Sequence, residues 1–247
     1  MEWFEDDAFW RELYPYMFPP ERLAAAPEQV AQVIALIGFS GRTVLDLCCG
    51  PGRHTVEFAR LGFDVTGVDR TRFLLDRARE RAQEASVQVE WVEEDMRRFL
   101  RPSSYDLICN LFTSFGYFEH EDEERLVLRN IHESLRPGGS FVIDVISKER
   151  VARNWKDSIV TEFPGGERLV QIPHVLDGWS RLRNEWILTK DGVARTFEFS
   201  HWIYSGQELK DRMRAAGFKD IRLFGDLKGA PYDVDATRLT VVARKAQ

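Results

Sequence analysis

Thr43-Val44-Leu45-Asp46-Leu47-Cys48-Cys49-Gly50-Pro51-Gly52-Arg53-His54 joins an apolar run to a pair of glycines and then to a helical pattern. A second short apolar run, Asp64-Val65-Thr66-Gly67-Val68, ends in Asp69, sixteen residues after Arg53. Glycine lacks a Cβ and reaches positive φ, so a turn built on Gly50 and Gly52 lets the backbone approach a ligand closely. A carboxylate at the tip of the neighbouring strand suits the two hydroxyls of a ribose. Together these features predict a nucleoside-cofactor site at the carboxyl edge of a parallel sheet. The plain structural reading is a strand-to-helix turn, with Asp69 capping the helix that begins near Thr71.

The same stretch argues against a dinucleotide. A G-x-G-x-x-G fingerprint needs a third small residue where the helix packs on its strand, and that position holds Thr55. Pro51 lacks the N–H that a pyrophosphate cradle would use. Asp46 would repel a pyrophosphate but can help hold an ammonium group. A ligand without phosphates fits better.

At these residues the chain resembles the class I methyltransferases that use S-adenosylmethionine. Asp46-Leu47-Cys48-Cys49-Gly50-Pro51-Gly52 resembles their first motif, with Cys48 in a place where the family more often has glycine, and Asp69 matches their acidic ribose ligand. Glu94-Asp95-Met96 resembles the segment after their third strand, where an Asp meets the adenine amino group. Ser104-Tyr105-Asp106-Leu107-Ile108-Cys109-Asn110 resembles their fourth strand, and Leu135-Arg136-Pro137-Gly138-Gly139 the turn before the fifth. The resemblance implies a Rossmann-like, doubly wound α/β fold with a seven-stranded sheet whose last strand runs antiparallel inside it. It implies S-adenosyl-L-methionine as cofactor, held by Asp46, Gly50, Gly52, Asp69, Asp95, Met96, Leu111 and Tyr14. The segment Asn110–Tyr117 is similar to a loop of small-molecule N-methyltransferases that borders both cofactor and acceptor.

Composition bounds the remaining classes. The chain has 247 residues, 44% of them hydrophobic, enough for a sizeable core, and no apolar run approaches a membrane span. The acidic, aromatic start Met1-Glu2-Trp3-Phe4-Glu5-Asp6-Asp7 does not read as a signal peptide. A net charge of -6 argues against a large nucleic-acid footprint. The arginines from Arg70 to Arg81 alternate with Leu74, Ala78, Ala82 and Ala85, the pattern of a solvated helix face. Cys48, Cys49 and Cys109 form no C-x-x-C and no even framework, so they read as apolar filler in a reducing cytoplasm. No His/Cys/Asp cluster has metal-ligand spacing.

Residues 1–38 read as a helical cap crowded with Trp3, Phe4, Phe9, Trp10, Tyr14 and Phe18, broken at Pro19-Pro20. Residues 39–149 alternate strand and helix and carry the cofactor motifs. Residues 150–204 carry strands near 159–163, 168–174, 179–188 and 193–203, joined by the turn signals Pro164-Gly165-Gly166, Asp177-Gly178 and Asp191-Gly192. This is an antiparallel meander inserted after the fifth strand; it and the N-terminal helices are expected to close over the cofactor and build the acceptor site. Residues 205–247 complete the α/β core. The meander's alternating Trp and Arg residues are equally consistent with an acceptor site, a two-faced sheet and a contact between the copies of a homodimer.

Methyl transfer from a sulfonium is an in-line displacement, so most of the work is positioning and exclusion of water. Aromatic faces suit the cation, and Tyr14, Phe18, Phe115 and Tyr117 are the candidates. His120 is the first-choice base and Tyr117 the second, with His54, His174 and His201 further candidates. Phe115, His201 and Trp202 are expected on the acceptor side. The overall expectation is an enzyme moving a methyl group to an N or O atom of a small molecule. Its competitors are a nicotinamide-dependent oxidoreductase and a non-catalytic cofactor-binding module.

Overall fold

A computed structural model describes residues 2–247; Met1 lies outside the described residues. The alternation expected for the centre of the chain is present. It runs β1 (Thr43–Leu47), α4 (Arg53–Arg60), β2 (Asp64–Asp69), α5 (Arg72–Glu84), β3 (Glu90–Glu93), β4 (Tyr105–Asn110), α6 (Glu121–Ser134) and β5 (Leu135–Val145). Before it come α1 (Asp7–Met17), α2 (Pro20–Ala24) and α3 (Ala26–Ile37). Pro19-Pro20 ends one helix and also starts the next, because Pro20 occupies a first-turn position where its missing N–H costs nothing. After β5 come α7 (Lys148–Arg153), the strands β6 (Ile159–Glu162), β7 (Arg168–Leu176), β8 (Arg181–Lys190) and β9 (Val193–Trp202), then α8 (Gly206–Ala215), β10 (Lys219–Phe224) and β11 (Leu239–Arg244).

The large sheet has the order β10-β11-β5-β4-β1-β2-β3. Strands β1 to β5 pair in parallel, and β11 lies between β5 and β10, antiparallel to both. Because β4 returns to the other side of β1, the connections leaving β1 and β4 diverge and open a crevice at their carboxyl ends. Asn110, fully buried at the end of β4, spans that point by donating to the Leu47 carbonyl at 3.1 Å and the Ser114 carbonyl at 3.3 Å. Two apolar clusters cover the two faces, one beneath α3 and α4, the other beneath α5, α6 and α8. Strand β5 begins at Leu135, five residues ahead of the expected start at 140. Leu135 pairs with Tyr105 and Ser140 with Leu107, and the Pro-Gly-Gly turn bulges between them.

The meander forms a separate four-stranded sheet, β6-β7-β8-β9. Leu169, Leu188, Trp186, Phe197 and Phe199 from it pack into the cluster that also contains Trp3, Phe9 and Trp10. Trp3 and Phe9 lie 5.1 and 5.6 Å from Phe199, ring to ring, and the Trp3 indole donates to the Ser200 carbonyl at 3.1 Å. Arg195 of β9 also pairs with Glu12 of α1. Among the described residues no helix is long and apolar enough to cross a membrane.

Candidate active site

The crevice over β1, β2 and β4 holds a cavity of about 1000 Å3, open mouth included. Its floor is the Cys48–Gly50 turn. Cys48 has φ 60° and Gly50 φ 54°, a left-handed path that glycine follows freely and cysteine only under strain. The turn is pinned to β2 at two points: Cys49 N–H donates to the Val68 carbonyl at 2.9 Å, and Gly50 N–H to Asp69 Oδ2 at 2.9 Å. Asp69 Oδ1 accepts from the Thr71 N–H at 2.8 Å. The helix-cap reading of Asp69 is therefore present, and the same carboxylate also holds the glycine turn. Each oxygen retains a lone pair for a ligand hydroxyl. Burial pushes the Asp69 carboxyl upward against these two hydrogen bonds.

At the far end of the cavity Asp46, also buried, accepts the Thr55 hydroxyl at 2.5 Å. Burial raises its carboxyl to about 6, with Thr55 and then Arg53 opposing the rise. Two carboxylates in a cleft of low polarity favour a cationic ligand and disfavour phosphates. Thr55, in the place a dinucleotide site keeps small for packing, is spent on Asp46. Asp95 lies on the wall beyond Asp69. Burial would raise its carboxyl, but the hydrogen bonds from Arg97 outweigh that and hold it below the usual range. Met96 borders the cavity with its sulfur 3.4 Å from the Cys48 sulfur. The three thiols are all pushed up, first by burial and then by neighbouring carboxylates, which makes them filler rather than nucleophiles.

Of the residues singled out in the sequence, the structure gathers Asp46, Gly50, Asp69, Asp95, Met96, Leu111, Tyr117, Phe18 and His54 around this cavity. Others stand elsewhere. Gly52 sits behind the turn, where a Cβ would come within 2.8 Å of Ala78 and Trp91, so its job is packing. Tyr14 packs edge-on against Phe73 and meets Arg81. His120 is exposed and caps α6, and Phe115 is buried against Tyr204. His201 is buried beside Phe199, and burial lowers it to about 4. Trp202 is committed to the strand-four loop through its backbone N–H and indole. No residue from 150 to 204 lines the cavity; the meander's inner face is consumed by the N-terminal aromatics instead.

Sequence reasoning missed several wall residues. Phe4, Trp10 and Met17 come from the N-terminal segment, and Arg22 and Arg53 also line the cavity, Arg53 within reach of Asp46. Phe112, held at φ 60°, stacks on His54 at 5.3 Å and lies under the Arg53 guanidinium at 4.0 Å. The one available signal was Arg53 itself, a cation at a helix start, where the macrodipole disfavours it. His54 Nε2 bonds Gln29 Oε1 at 2.8 Å, and burial followed by Arg53 lowers its pKa far below the ordinary value, so it is neutral. No group of three or more possible metal ligands exists among the described residues.

Comparison with known proteins bears directly on this cleft. A profile for the methyltransferase domain matches residues 44–139. A putative methyltransferase from Geobacillus sp. (strain WCH70) is 32% identical over 214 residues, covering 83% of this chain and 85% of that protein. The chain belongs to the class I S-adenosylmethionine-dependent methyltransferases. The cypemycin N-terminal methyltransferase of Streptomyces sp. is 27% identical over 219 residues, covering 87% of this chain and 88% of that one. The structure of the CcbJ methyltransferase from Streptomyces caelestis superposes with a TM-score of 0.79 at 22% identity, over 90% of each chain, and shows the same fold. The methyltransferase thus has the fold, the activity class and the cofactor that its motifs implied, and the oxidoreductase and non-catalytic readings are not favoured.

Proposed function

We propose that this methyltransferase moves the methyl group to an amine nitrogen of a small molecule. The observation that carries the reading is a cleft lined by the carboxyls of Asp46, Asp69 and Asp95, by aromatic and thioether side chains, and by the phenol of Tyr117. The cypemycin N-terminal methyltransferase, matched over most of its length, acts on an amine by its name, which supports nitrogen.

S-adenosylmethionine, when bound, supplies an electrophilic methyl group on a sulfonium. The residues that would hold it are Asp69 at the ribose, Asp95 and Met96 at the adenine, Gly50 along the turn, and Asp46 at the amino-acid tail, with Leu111 beside it. Phe4, Trp10 and Phe18 exclude water and give the cation aromatic faces. Burial raises the Tyr117 phenol well above its usual value, so it is un-ionised. An un-ionised phenol oxygen accepts an N–H from the acceptor and turns the nitrogen lone pair toward the methyl carbon. His54 is a poor base because it is held neutral and bonded to Gln29. The acceptor binds as the free amine and its proton leaves to solvent.

Radiolabelled S-adenosylmethionine offered with a panel of primary and secondary amines and a matched panel of phenols and alcohols tests the nitrogen assignment. Label is expected in amines; label confined to oxygen acceptors sinks it. Tyr117→Phe is expected to lower kcat by about tenfold to a hundredfold while S-adenosylhomocysteine affinity stays within about twofold.

A pH dependence follows from Asp46. Its carboxyl must be ionised to meet the tail ammonium, and in the free protein it titrates at about 6. Affinity for S-adenosylhomocysteine is therefore expected to rise as pH rises through about 6 and to level off above it. Asp46→Asn should flatten that step. Calorimetry from pH 5 to 8 gives the profile, and an identical step in the variant removes Asp46 as its source.

A further inference from the structure

We propose that Glu124 of α6 and Trp202 of β9 are positioning residues, a clamp that closes on the backbone either side of Tyr117 and fixes its hydroxyl at the methyl-transfer position. The inference rests on the placement of Tyr117 in the proposed function and extends it to two elements that do not line the cleft.

The peptide groups flanking Tyr117 are gripped from two directions. Glu124 Oε2 accepts from the Gly116 N–H at 3.3 Å, and Oε1 from the Phe118 N–H at 3.2 Å. Trp202 answers from the other side: its backbone N–H donates to the Gly116 carbonyl at 2.6 Å, and its indole N–H to the Phe118 carbonyl at 2.8 Å. All four polar backbone atoms of the two residues bracketing Tyr117 are thereby satisfied by Glu124 and Trp202. Tyr117 between them borders the cleft, as Phe118 does, and its ring packs against Trp3 at 4.8 Å.

The arrangement is costly, which argues for a use. Glu124 is fully buried, and burial pushes its carboxyl up to about 8 in spite of the two N–H donors and Arg212. Gly116 adopts φ 99°, and a Cβ there would stand 2.6 Å from the Trp202 carbonyl oxygen. The loop accepts a backbone that only glycine fits in order to lie against β9. A carboxyl in that location adds nothing to apolar packing, and a leucine of similar size would fill the space without the desolvation cost. What it does supply is a pair of acceptors spaced for residues 116 and 118. The meander, which contributes no wall to the cleft, thus acts on it through the end of β9.

Sinefungin tests the clamp without a known acceptor, because it carries an amine-bearing carbon in place of the methylsulfonium centre. Its affinity relative to S-adenosylhomocysteine therefore reads contacts at the methyl position. Tyr117→Phe is expected to lower that preference by about tenfold, the value of one hydrogen bond to a charged group. Trp202→Phe and Glu124→Gln are each expected to lower it by about threefold or more, with S-adenosylhomocysteine affinity within about twofold of wild type. In the Tyr117→Phe background neither change should lower it further, since both act through that hydroxyl. Trp202→Phe keeps the ring's packing and carries the test where Glu124→Gln fails to fold. A preference unchanged in both variants, or one that falls equally in the Tyr117→Phe background, overturns the clamp. Wild-type protein that binds neither compound overturns the reading of the cleft, and the clamp with it.

Discussion

Asp69→Ala is expected to abolish measurable binding of S-adenosylhomocysteine while leaving a protein that still folds. Asp69 is the point where the glycine turn, the end of β2 and the start of α5 meet, through hydrogen bonds to the Gly50 and Thr71 amides. Losing two hydroxyl contacts to a charged acceptor costs about 3–6 kcal/mol, or roughly two to four decades of affinity. Two amides are also orphaned, at about 1–3 kcal/mol each, but the variant is relieved of a carboxyl that burial disfavours. Net destabilisation should therefore be smaller than the loss in binding. Titration calorimetry together with a thermal melt separates the two. A folded Asp69→Ala protein with affinity within threefold of wild type removes Asp69 from the ligand set.

Gly52→Val is expected to have the larger effect on stability. A Cβ at that position would stand 2.8 Å from both the Ala78 Cβ and the Trp91 ring, and the backbone is held at φ 72°. Overpacking of this kind costs about 1–3 kcal/mol, and a β-branched residue in the left-handed region adds about 1–3 kcal/mol more. At this chain length the sum corresponds to a fall of roughly 5–20 °C in Tm. Gly50→Ala is the instructive contrast. The nearest atom to a Cβ there is on Phe18 at 3.7 Å, so alanine adds only the strain of φ 54°, about 1 kcal/mol, and its further effect falls on a ligand. Scanning fluorimetry of both variants checks the division; equal Tm losses would refute it.

These two glycines show where sequence reading stops. Gly50-Pro51-Gly52 announces a tight strand-to-helix turn, and both glycines look alike as parts of a cradle. The structure divides them, one against the cavity and one against α5, because the direction of a missing Cβ depends on φ and on which helix packs behind. His120 and Trp202 make the same point. Both were expected at the site, but His120 is used up as the cap of α6 and Trp202 as a support for the strand-four loop.

The order of strands, the antiparallel meander, the acidic tip of β2 and the family membership were all legible in the residues. They depend on periodicity, turn chemistry and motifs a few residues long, which local sequence encodes directly. Which aromatic residues wall the cavity, and that Glu124 and Trp202 converge on Tyr117, became visible only in three dimensions. Those contacts include positions 6 residues apart, Phe118 with Glu124, and 84 apart, Phe118 with Trp202, and they depend on how a helix and a strand dock against the same loop. The buried Glu124 in an acidic helix start looks like its less buried neighbours Glu121, Asp122 and Glu123 until its partners are known.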